Sequence, residues 1–323
     1  MGPKSFSFWP EQAGHYAAEV DWLFFGLALV TGLTFALLLF LMIRFMVLFR
    51  EGSRTKRGPP EEKSWHWEIG WTAASLVIFL CFAVWGADLF VRLYEPPSDA
   101  IEMFVVAKQW MWKTQHAGGQ REIDELHVPV GRPVRLVMTS QDVIHSFYIP
   151  AFRIKHDVVP GRYETLWFQA VKTGTYGLLC AEYCGTQHSG MLGRIVVMEP
   201  RDFAAWLASQ PQTTDLASEG AALFRSFGCS GCHGAASTVK APPLEGLFGR
   251  PVPLSNGTVV TADERYIRDS ILLPKQDIAA GYPDIMPSFA GQIGDDDLIK
   301  IVAYIKSLAD VRPAAQTPST GRP

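Results

Sequence analysis

The sequence predicts a multidomain membrane protein with a two-helix transmembrane hairpin, an all-β sandwich and an all-α C-terminal domain. Two long apolar stretches without charge lie before residue 90, short β-type segments fill residues 100–198, and a C-x-x-C-H motif follows at residues 229–233. A chain of 323 residues is long enough for two or three domains. The predicted units are residues 1–95, 96–210 and 211–310, followed by a Pro-rich disordered tail over 311–323.

Two stretches near the N-terminus are long enough to span a bilayer as helices. Residues 22–43 carry no charge over 22 residues, and residues 69–87 carry none over 19. Each could cross the roughly 30 Å of hydrocarbon in a bilayer. A secretory signal is the alternative for the first stretch, which is too long for it and lacks a small-residue cleavage site. Basic residues concentrate between the two stretches, so the positive-inside rule predicts a cytoplasmic loop and places everything after about residue 95 outside.

Glu68 lies at the cytoplasmic start of the second predicted span. A solvated carboxylate there is favoured by the helix macrodipole, and the position alone favours this interpretation. A proton entry point is the alternative, because acids at the membrane edge can also serve proton transfer.

Residues 100–198 read as short apolar, β-branched or aromatic segments separated by Gly, Pro or Asp. Several strands at this spacing indicate a sandwich or a small barrel. The stretch CAEYCGTQHSGM, residues 180–191, lies in the turn between the last two predicted strands. It supplies Cys180, Cys184, His188 and Met191, and His145 is expected at the end of an earlier strand.

These five side chains predict a metal centre. A mononuclear blue-copper site uses one Cys, two His and a weak axial Met, so the second Cys is surplus to it. Two copper ions that share both thiolates, with one His each, would use the whole set. Met191 would then be a weak ligand to one copper, and a backbone carbonyl such as that of Glu182 would serve the other. A structural Cys₂His₂ zinc would leave Met191 without a role, and a Cys180–Cys184 disulfide would do the same to both histidines.

The C-x-x-C-H motif at Cys229, Cys232 and His233 is typical of covalent haem attachment. The two thiols can bond the vinyl groups, and the histidine becomes the proximal iron ligand. A redox-active cysteine pair is the alternative, but it normally lies in a βαβ unit, which is not predicted here. Met286 is the only methionine after residue 198, which favours it as the sixth ligand. Met/His ligation raises the haem potential.

The rest of the last third is predicted from its patterns. Residues 201–209 form a short helix, and residues 210–218 form a polar linker. Residues 295–308 are predicted to form a closing helix that packs on the haem, with Asp295 as its N-cap. Its apolar face would consist of Leu298, Ile301, Val302, Ile305 and Leu308.

Residues 20–208 resemble subunit II of the haem–copper cytochrome c oxidases. The resemblance lies in the motifs WEIGWT, QWMW at 109–112, DVIHSFYIP, IKHDVVPGR and CAEYCGTQHSGM. It implies a cupredoxin sandwich that holds a dinuclear copper centre of the CuA type. The implied copper ligands are His145, Cys180, the Glu182 carbonyl, Cys184, His188 and Met191. Quinol oxidases of the same superfamily lack these ligands, so that branch is disfavoured.

The resemblance implies roles for further residues. The Glu182 side chain would bind a Mg²⁺ or Mn²⁺ shared with subunit I. Trp110 would be the tryptophan through which electrons enter, and Glu68 would stand at the mouth of a proton pathway. Met111 replaces a tyrosine that is often found between the two tryptophans. Residues 241–250 resemble a loop of class I cytochromes c, in which a proline carbonyl, here that of Pro242, holds the proximal histidine.

The sequence therefore predicts a cytochrome c oxidase subunit II with a fused cytochrome c domain, in the bacterial inner membrane with its soluble domains in the periplasm. Electrons would pass from a soluble cytochrome c or other small redox protein to haem c, to the copper centre and to haem a of subunit I. Oxygen reduction, coupled to proton translocation, would occur in subunit I. Subunit I and further membrane subunits are the expected partners. The net charge of −3 and the lack of a basic cluster in the soluble part argue against nucleic-acid binding.

Two alternatives come from other functional classes. A membrane-anchored electron carrier could serve a nitric oxide or nitrous oxide reductase, but two spans, Glu68 and Glu182 argue against it. A copper-trafficking or storage protein would need neither a haem domain nor two bridging thiolates.

Overall fold

The structure, a computed structural model, describes residues 9–56, 58, 65–210, 215–234 and 237–310. The predicted tail over 311–323 lies outside the described residues. Two helices, α1 (Ala17–Leu48) and α2 (Trp65–Tyr94), are long and apolar enough to cross a membrane. Both extend beyond the charge-free stretches, because a helix of about 30 residues is roughly 45 Å long and its charged ends reach past the hydrocarbon. Their large apolar side chains are mostly exposed, which suits lipid or a neighbouring membrane subunit.

The middle of the chain forms two five-stranded sheets packed into a sandwich. The strands are β1 (Ile101–Lys108), β2 (Met111–His116), β3 (Arg121–Ile123), β4 (Glu125–Pro129), β5 (Pro133–Ser140), β6 (His145–Ile149), β7 (Ile154–Val158), β8 (Glu164–Gln169), β9 (Gly174–Cys180) and β10 (Leu192–Met198). One sheet has the order β3-β2-β1-β5-β8 and the other has the order β4-β10-β9-β6-β7. Buried side chains of both sheets form one core between them, and alternation along β2 shows the two-residue period of a strand.

The structure corrects the placement of His145. This residue begins β6 and does not end a strand. The loop before it is shaped by Asp142, whose carboxylate accepts the backbone N–H groups of Val143 and Gln109, each at 2.7 Å. The chain therefore enters the sheet at His145 with the side chain buried.

A buried ion pair joins the membrane hairpin to the sandwich. Arg153 donates to both carboxylate oxygens of Asp21 in α1, at 2.8 and 3.0 Å. The same guanidinium donates to the carbonyls of Pro10, Glu11 and Pro150. One multiply bonded arginine thus ties α1 to the sandwich.

The last part of the chain is mainly helical. Its elements are α3 (Pro200–Ser209), α4 (Leu216–Ser226), α5 (Ser230–His233), β11 (Pro251–Pro253), β12 (Val259–Thr261), α6 (Glu264–Leu272) and α7 (Asp295–Ser307). The helix α3 stays with the sandwich, where Trp206 stacks on His127 with ring centroids 4.1 Å apart. The antiparallel pair β11–β12 was not predicted, although its turn contains Asn256-Gly257, a strong hairpin signal.

Two predicted details of the helices differ in the structure. Gly294, in extended conformation, is the N-cap of α7, and Asp295 is its first residue. An acidic residue is as favourable inside the first turn as at the cap, because the helix dipole attracts it in both places. The predicted linker is shorter, because Asp215 caps α4 by accepting the backbone N–H of Ser218 at 2.7 Å.

Candidate copper and haem sites

The two thiols of the CAEYCGTQHSGM stretch meet at one end of the sandwich. Cys180 is the last residue of β9, and its Sγ lies 3.7 Å from that of Cys184 in the following loop. His145, at the start of the neighbouring strand β6, places Nδ1 3.9 Å from Cys180 Sγ. Strand pairing therefore brings together ligands that are 35 residues apart.

The remaining candidate ligands lie around the same pair of sulfur atoms. His188 Nδ1 lies 3.5 Å from Cys184 Sγ, and Met191 Sδ lies 3.8 Å from it. The Glu182 carbonyl oxygen lies 3.3 Å from Cys180 Sγ. The structure thus gathers all six predicted donors, with one His beside each sulfur.

The donor geometry fits two metal ions that share the sulfur atoms. With metal–sulfur and metal–nitrogen bonds of about 2.3 and 2.0 Å, two ligands of one tetrahedral ion are about 3.5 Å apart. The observed separations around Cys180 and Cys184 lie near this value. Two thiolates and a thioether are soft donors, which select copper over the harder divalent ions.

The two thiols titrate differently in the protein without metal. Burial raises the pKa of Cys180, but hydrogen bonds from His145 and the backbone outweigh it and hold that pKa at about 6. Burial and the neighbouring Cys180 charge raise the pKa of Cys184 to about 12. Two thiolates this close repel each other, so bound cations would favour the ionised form of both sulfurs.

Two residues that the sequence analysis missed support this site. Asp142 accepts His145 Nε2–H at 2.8 Å, which leaves Nδ1 free to face the sulfur atoms. Burial raises the Asp142 pKa, but the bonds from Gln109 and His145 outweigh it, so the pKa is lowered. Gln109 also donates its side-chain amide to the Cys184 carbonyl at 2.8 Å. The Asp-x-x-His spacing was a signal for Asp142, whereas nothing local in the sequence connects Gln109 to Cys184.

Trp110 lies against the same loop. Its indole N–H donates to the Cys184 carbonyl at 3.2 Å, and the side chain is half-buried at the edge of the core. The neighbouring Trp112 is the fully buried sandwich residue. The structure therefore brings Trp110 into direct contact with the backbone of Cys184, a candidate copper ligand.

The two predicted acidic sites lie apart from each other. The Glu182 residue is exposed, so its side chain is open to a neighbouring subunit while its carbonyl faces Cys180. Glu68 lies in the first turn of α2, within the membrane hairpin, and is exposed in the isolated chain.

The four candidate haem residues line one open, largely apolar cavity in the helical domain. Cys229, Cys232 and His233 border one part of it, and Met286 lies in the loop that borders another. His233 Nδ1–H donates to the Pro242 carbonyl at 3.0 Å, the contact that the cytochrome resemblance implies. This bond orients the imidazole so that Nε2 is left for the iron. Two thiols, an imidazole and a thioether around an apolar cavity fit a covalently attached haem.

Comparisons with known proteins find relatives for two parts of the chain. Residues 100–199 match the family described as cytochrome c oxidase subunit II, periplasmic domain, and residues 217–309 match cytochrome c. The alternative cytochrome c oxidase subunit 2 of Bradyrhizobium diazoefficiens is 28% identical over 229 residues, which cover 60% of this chain and 81% of that protein. The cytochrome c oxidase subunit 2 of Alkalihalophilus pseudofirmus is 28% identical over 257 residues, which cover 75% of this chain and 72% of that protein.

A solved structure is also similar in sequence. The periplasmic domain of subunit II of cytochrome oxidase from Bradyrhizobium japonicum is 32% identical and covers 36% of this chain and 96% of that chain. The TM-score of the two structures is 0.35.

The hairpin, the sandwich and the helical domain define a membrane-bound electron-transfer protein with a periplasmic copper domain and a c-type haem domain. The predicted fold class is confirmed. The chain belongs to the cytochrome c oxidase subunit II family and carries a cytochrome c domain at its C-terminal end. It is therefore a subunit of a cytochrome c oxidase.

Proposed function

We propose that this chain passes electrons from haem c to a dinuclear CuA centre and on to haem a of subunit I, where oxygen is reduced with proton translocation. The observation that carries the proposal is the convergence of two thiols, two imidazoles and a thioether on the same chain as a haem cavity. When bound, haem c and the copper pair supply one-electron redox chemistry.

The residues of this chain then have distinct tasks. Cys180, Cys184, His145 and His188 would hold the two coppers, with one imidazole beside each sulfur. Met191 and the Glu182 carbonyl are the weak ligands. Trp110 provides the entry for electrons, supported by its hydrogen bond to the Cys184 carbonyl. Cys229 and Cys232 attach the haem, and His233 and Met286 bind its iron.

Three further assignments extend the proposal. The exposed Glu182 side chain binds a Mg²⁺ or Mn²⁺ shared with subunit I. Glu68 takes part in proton uptake from the cytoplasmic side. The complex lies in the bacterial inner membrane, with subunit I and further membrane subunits as partners and a soluble cytochrome c or other small redox protein as donor.

Electron paramagnetic resonance of the purified complex tests the copper assignment. A mixed-valence pair shares one unpaired electron, so the oxidised centre should show hyperfine coupling to two equivalent coppers. The Cys184→Ser variant should lose this pattern while the haem c spectrum persists. A spectrum of isolated single coppers, or zinc in stoichiometric amount without copper, would contradict the proposal.

Co-purification tests the assignment to an oxidase. The tagged chain should bring down a large subunit that contains haem a and reduces oxygen. Recovery of a nitric oxide or nitrous oxide reductase instead would assign the chain to another electron-transfer complex.

A further inference from the structure

The outer face of one sheet is apolar where water would normally require polar residues. Antiparallel and mixed sheets commonly keep one face polar, with alternation along each strand. Strand β1 is instead buried on both faces from Met103 to Ala107, since Phe104 and Val106 point away from the sandwich core. Val137 of β5 extends the outer patch and is only 2% exposed.

The cover for this patch is the cytochrome c domain of the same chain. Leu216 of α4 and Ile299 of α7 are buried against the patch, and both are less than 5% exposed. Ile299 lies off the face by which α7 packs into its own domain. The helix α7 therefore has two apolar faces, one for each domain.

A tyrosine of the sandwich extends into the helical domain. Tyr163, between β7 and β8, packs against both the cytochrome core and the apolar patch. The Arg268 guanidinium of α6 lies over its ring, 5.7 Å from the centroid. Arg268 is itself only 4% exposed.

Four charged residues at one edge of the contact alternate in sign across the two domains. Arg135 of β5 bonds Glu102 of β1 at 2.8 Å and Glu264 of α6 at 3.2 Å. Lys306 of α7 bonds the same two carboxylates at 2.6 and 2.9 Å. Each carboxylate is thus shared by one cation from each domain. Networks of this kind contribute more than isolated surface pairs.

Other pairs join the domains elsewhere on the contact. Arg121 bonds Glu219 of α4 at 2.9 Å, and Lys113 bonds Asp296 of α7 at 3.3 Å. A cavity of about 260 Å³ lies beside these pairs, lined by polar and apolar residues of both domains.

The haem cavity lies away from this contact. None of the described residues that line it belongs to the apolar patch or to the interdomain ion pairs, and Cys232 of the attachment motif is exposed. The domain therefore presents its rear helices to the sandwich and leaves the haem side open to another protein.

We propose that the outer face of sheet β3-β2-β1-β5-β8 is the permanent docking surface of the chain's own cytochrome c domain. The domain then acts as a fixed relay that receives electrons from a donor on its open haem side, and it does not swing on its linker. This rests on the proposed function only for the direction of electron flow.

Zero-length carbodiimide cross-linking of the intact holo-complex tests the docked arrangement. Mass spectrometry should find Lys306 joined to Glu102, and Lys113 joined to Asp296, at high yield. Val137→Lys places a charge inside the apolar contact and should lower both yields severalfold. Val171→Lys, at an exposed position of the sandwich, is the matched control and should leave both unchanged. Absence of interdomain links in the wild type, or full yield in Val137→Lys with copper and haem retained, would overturn the proposal.

A longer linker provides a second test that does not disturb either fold. About 12 Gly and Ser residues inserted after Gln210 would reduce the contact frequency of a freely tethered domain, roughly as the −3/2 power of linker length. A docked domain should keep both its cross-link yield and its rate of electron transfer from haem c to copper. A fall of both with linker length would overturn docking and leave the proposed function intact. Full cross-linking without transfer would contradict the proposed function and leave docking intact.

Discussion

Asp142 decides which ring nitrogen of His145 faces the sulfur pair. Its carboxylate can only accept hydrogen bonds, so His145 Nε2 carries the proton and Nδ1 is available to copper. The same carboxylate accepts two backbone N–H groups and so holds the loop before β6. One acidic residue thus fixes both the tautomer and the position of His145, a proposed copper ligand.

The variant Asp142→Asn should weaken copper binding by about 10–100-fold, the usual effect of removing a partner of a metal-bound histidine. Asparagine must turn its NH₂ group toward one of the donors from which the carboxylate now accepts a hydrogen bond. Competition with a copper chelator measures the affinity. Asp157→Asn, at an exposed residue of β7, is the control. Equal copper affinity in the two variants would show that Asp142 does not position His145.

The variant Trp110→Phe should slow electron transfer from haem c to copper while copper content stays full. Phenylalanine keeps most of the packing volume but loses the N–H that reaches the Cys184 carbonyl, which Gln109 still holds. Flash-induced oxidation of haem c, with copper quantified on the same sample, measures the effect. Trp206→Phe is the control, because it alters a tryptophan of α3. Electron transfer from haem c to copper should keep its wild-type rate in this variant. Normal transfer in Trp110→Phe would remove its role in electron entry.

The contact between α4 and α7 depends on one residue without a side chain. A Cβ atom at Gly220 would lie 1.9 Å from the Lys300 carbonyl oxygen, which belongs to helix backbone and cannot rotate away. The two helices can therefore approach only with glycine at this position. Leu216 of α4 and Ile299 of α7 pack on the sandwich, so the close approach of these two helices shapes the side of the domain that faces it.

The variant Gly220→Ala should destabilise the cytochrome c domain by about 3 kcal/mol or more, at the upper end of overpacking effects. Denaturant unfolding followed by haem absorbance measures the loss. Gly294→Ala is the matched control, since a Cβ there meets nothing within 4 Å. A midpoint for Gly220→Ala equal to that of the control would show that the helices can separate without cost.

Elements with a clear hydrophobic period were predictable from the sequence. Very short strands, and helix faces that are buried against another domain, were not. The pattern of residues 295–308 predicted α7 and its inner face, but Ile299 lies outside that face because its partner lies in another domain. The pair β11–β12 has only three residues in each strand, too few for the alternation that identifies a strand.

At the scale of the whole molecule, docking should respond to acid through Glu264. Burial raises the pKa of this carboxyl, but Lys306 and Arg135 outweigh it, so the pKa lies below its usual value of 4.5. Besides these two cations, the Glu264 carboxylate faces the Glu102 carboxylate, which shares both of them. A carboxyl with a lowered pKa stabilises the folded arrangement above its usual value and loses that contribution as pH falls through the lowered one.

Hydroxyl-radical footprinting of Phe104 and Tyr163 measures this pH dependence. Both side chains should stay protected at neutral pH and become accessible in acid, as pH falls below the usual carboxyl pKa of 4.5 and through the lowered one. In the Glu264→Gln variant, residue 264 cannot ionise. Phe104 and Tyr163 should therefore be more accessible at neutral pH, and their accessibility should change less in acid. Identical pH profiles for the two proteins would show that Glu264 does not hold the domains together.

Local patterns in the sequence determined the spans, the strand-rich middle, the ligand-bearing loop and the haem motif, because hydrophobic period and ligand spacing act within about 20 residues. Only the tertiary structure decided that Asp142 and Gln109 hold the loop of the candidate copper site, since the packing of one sheet on the other brings Gln109 to a residue 75 positions away. It also decided how the cytochrome domain lies on the sandwich. That contact depends on residues such as Val137 and Ile299, whose apolar character has the same sequence signature whether they face their own core or another domain.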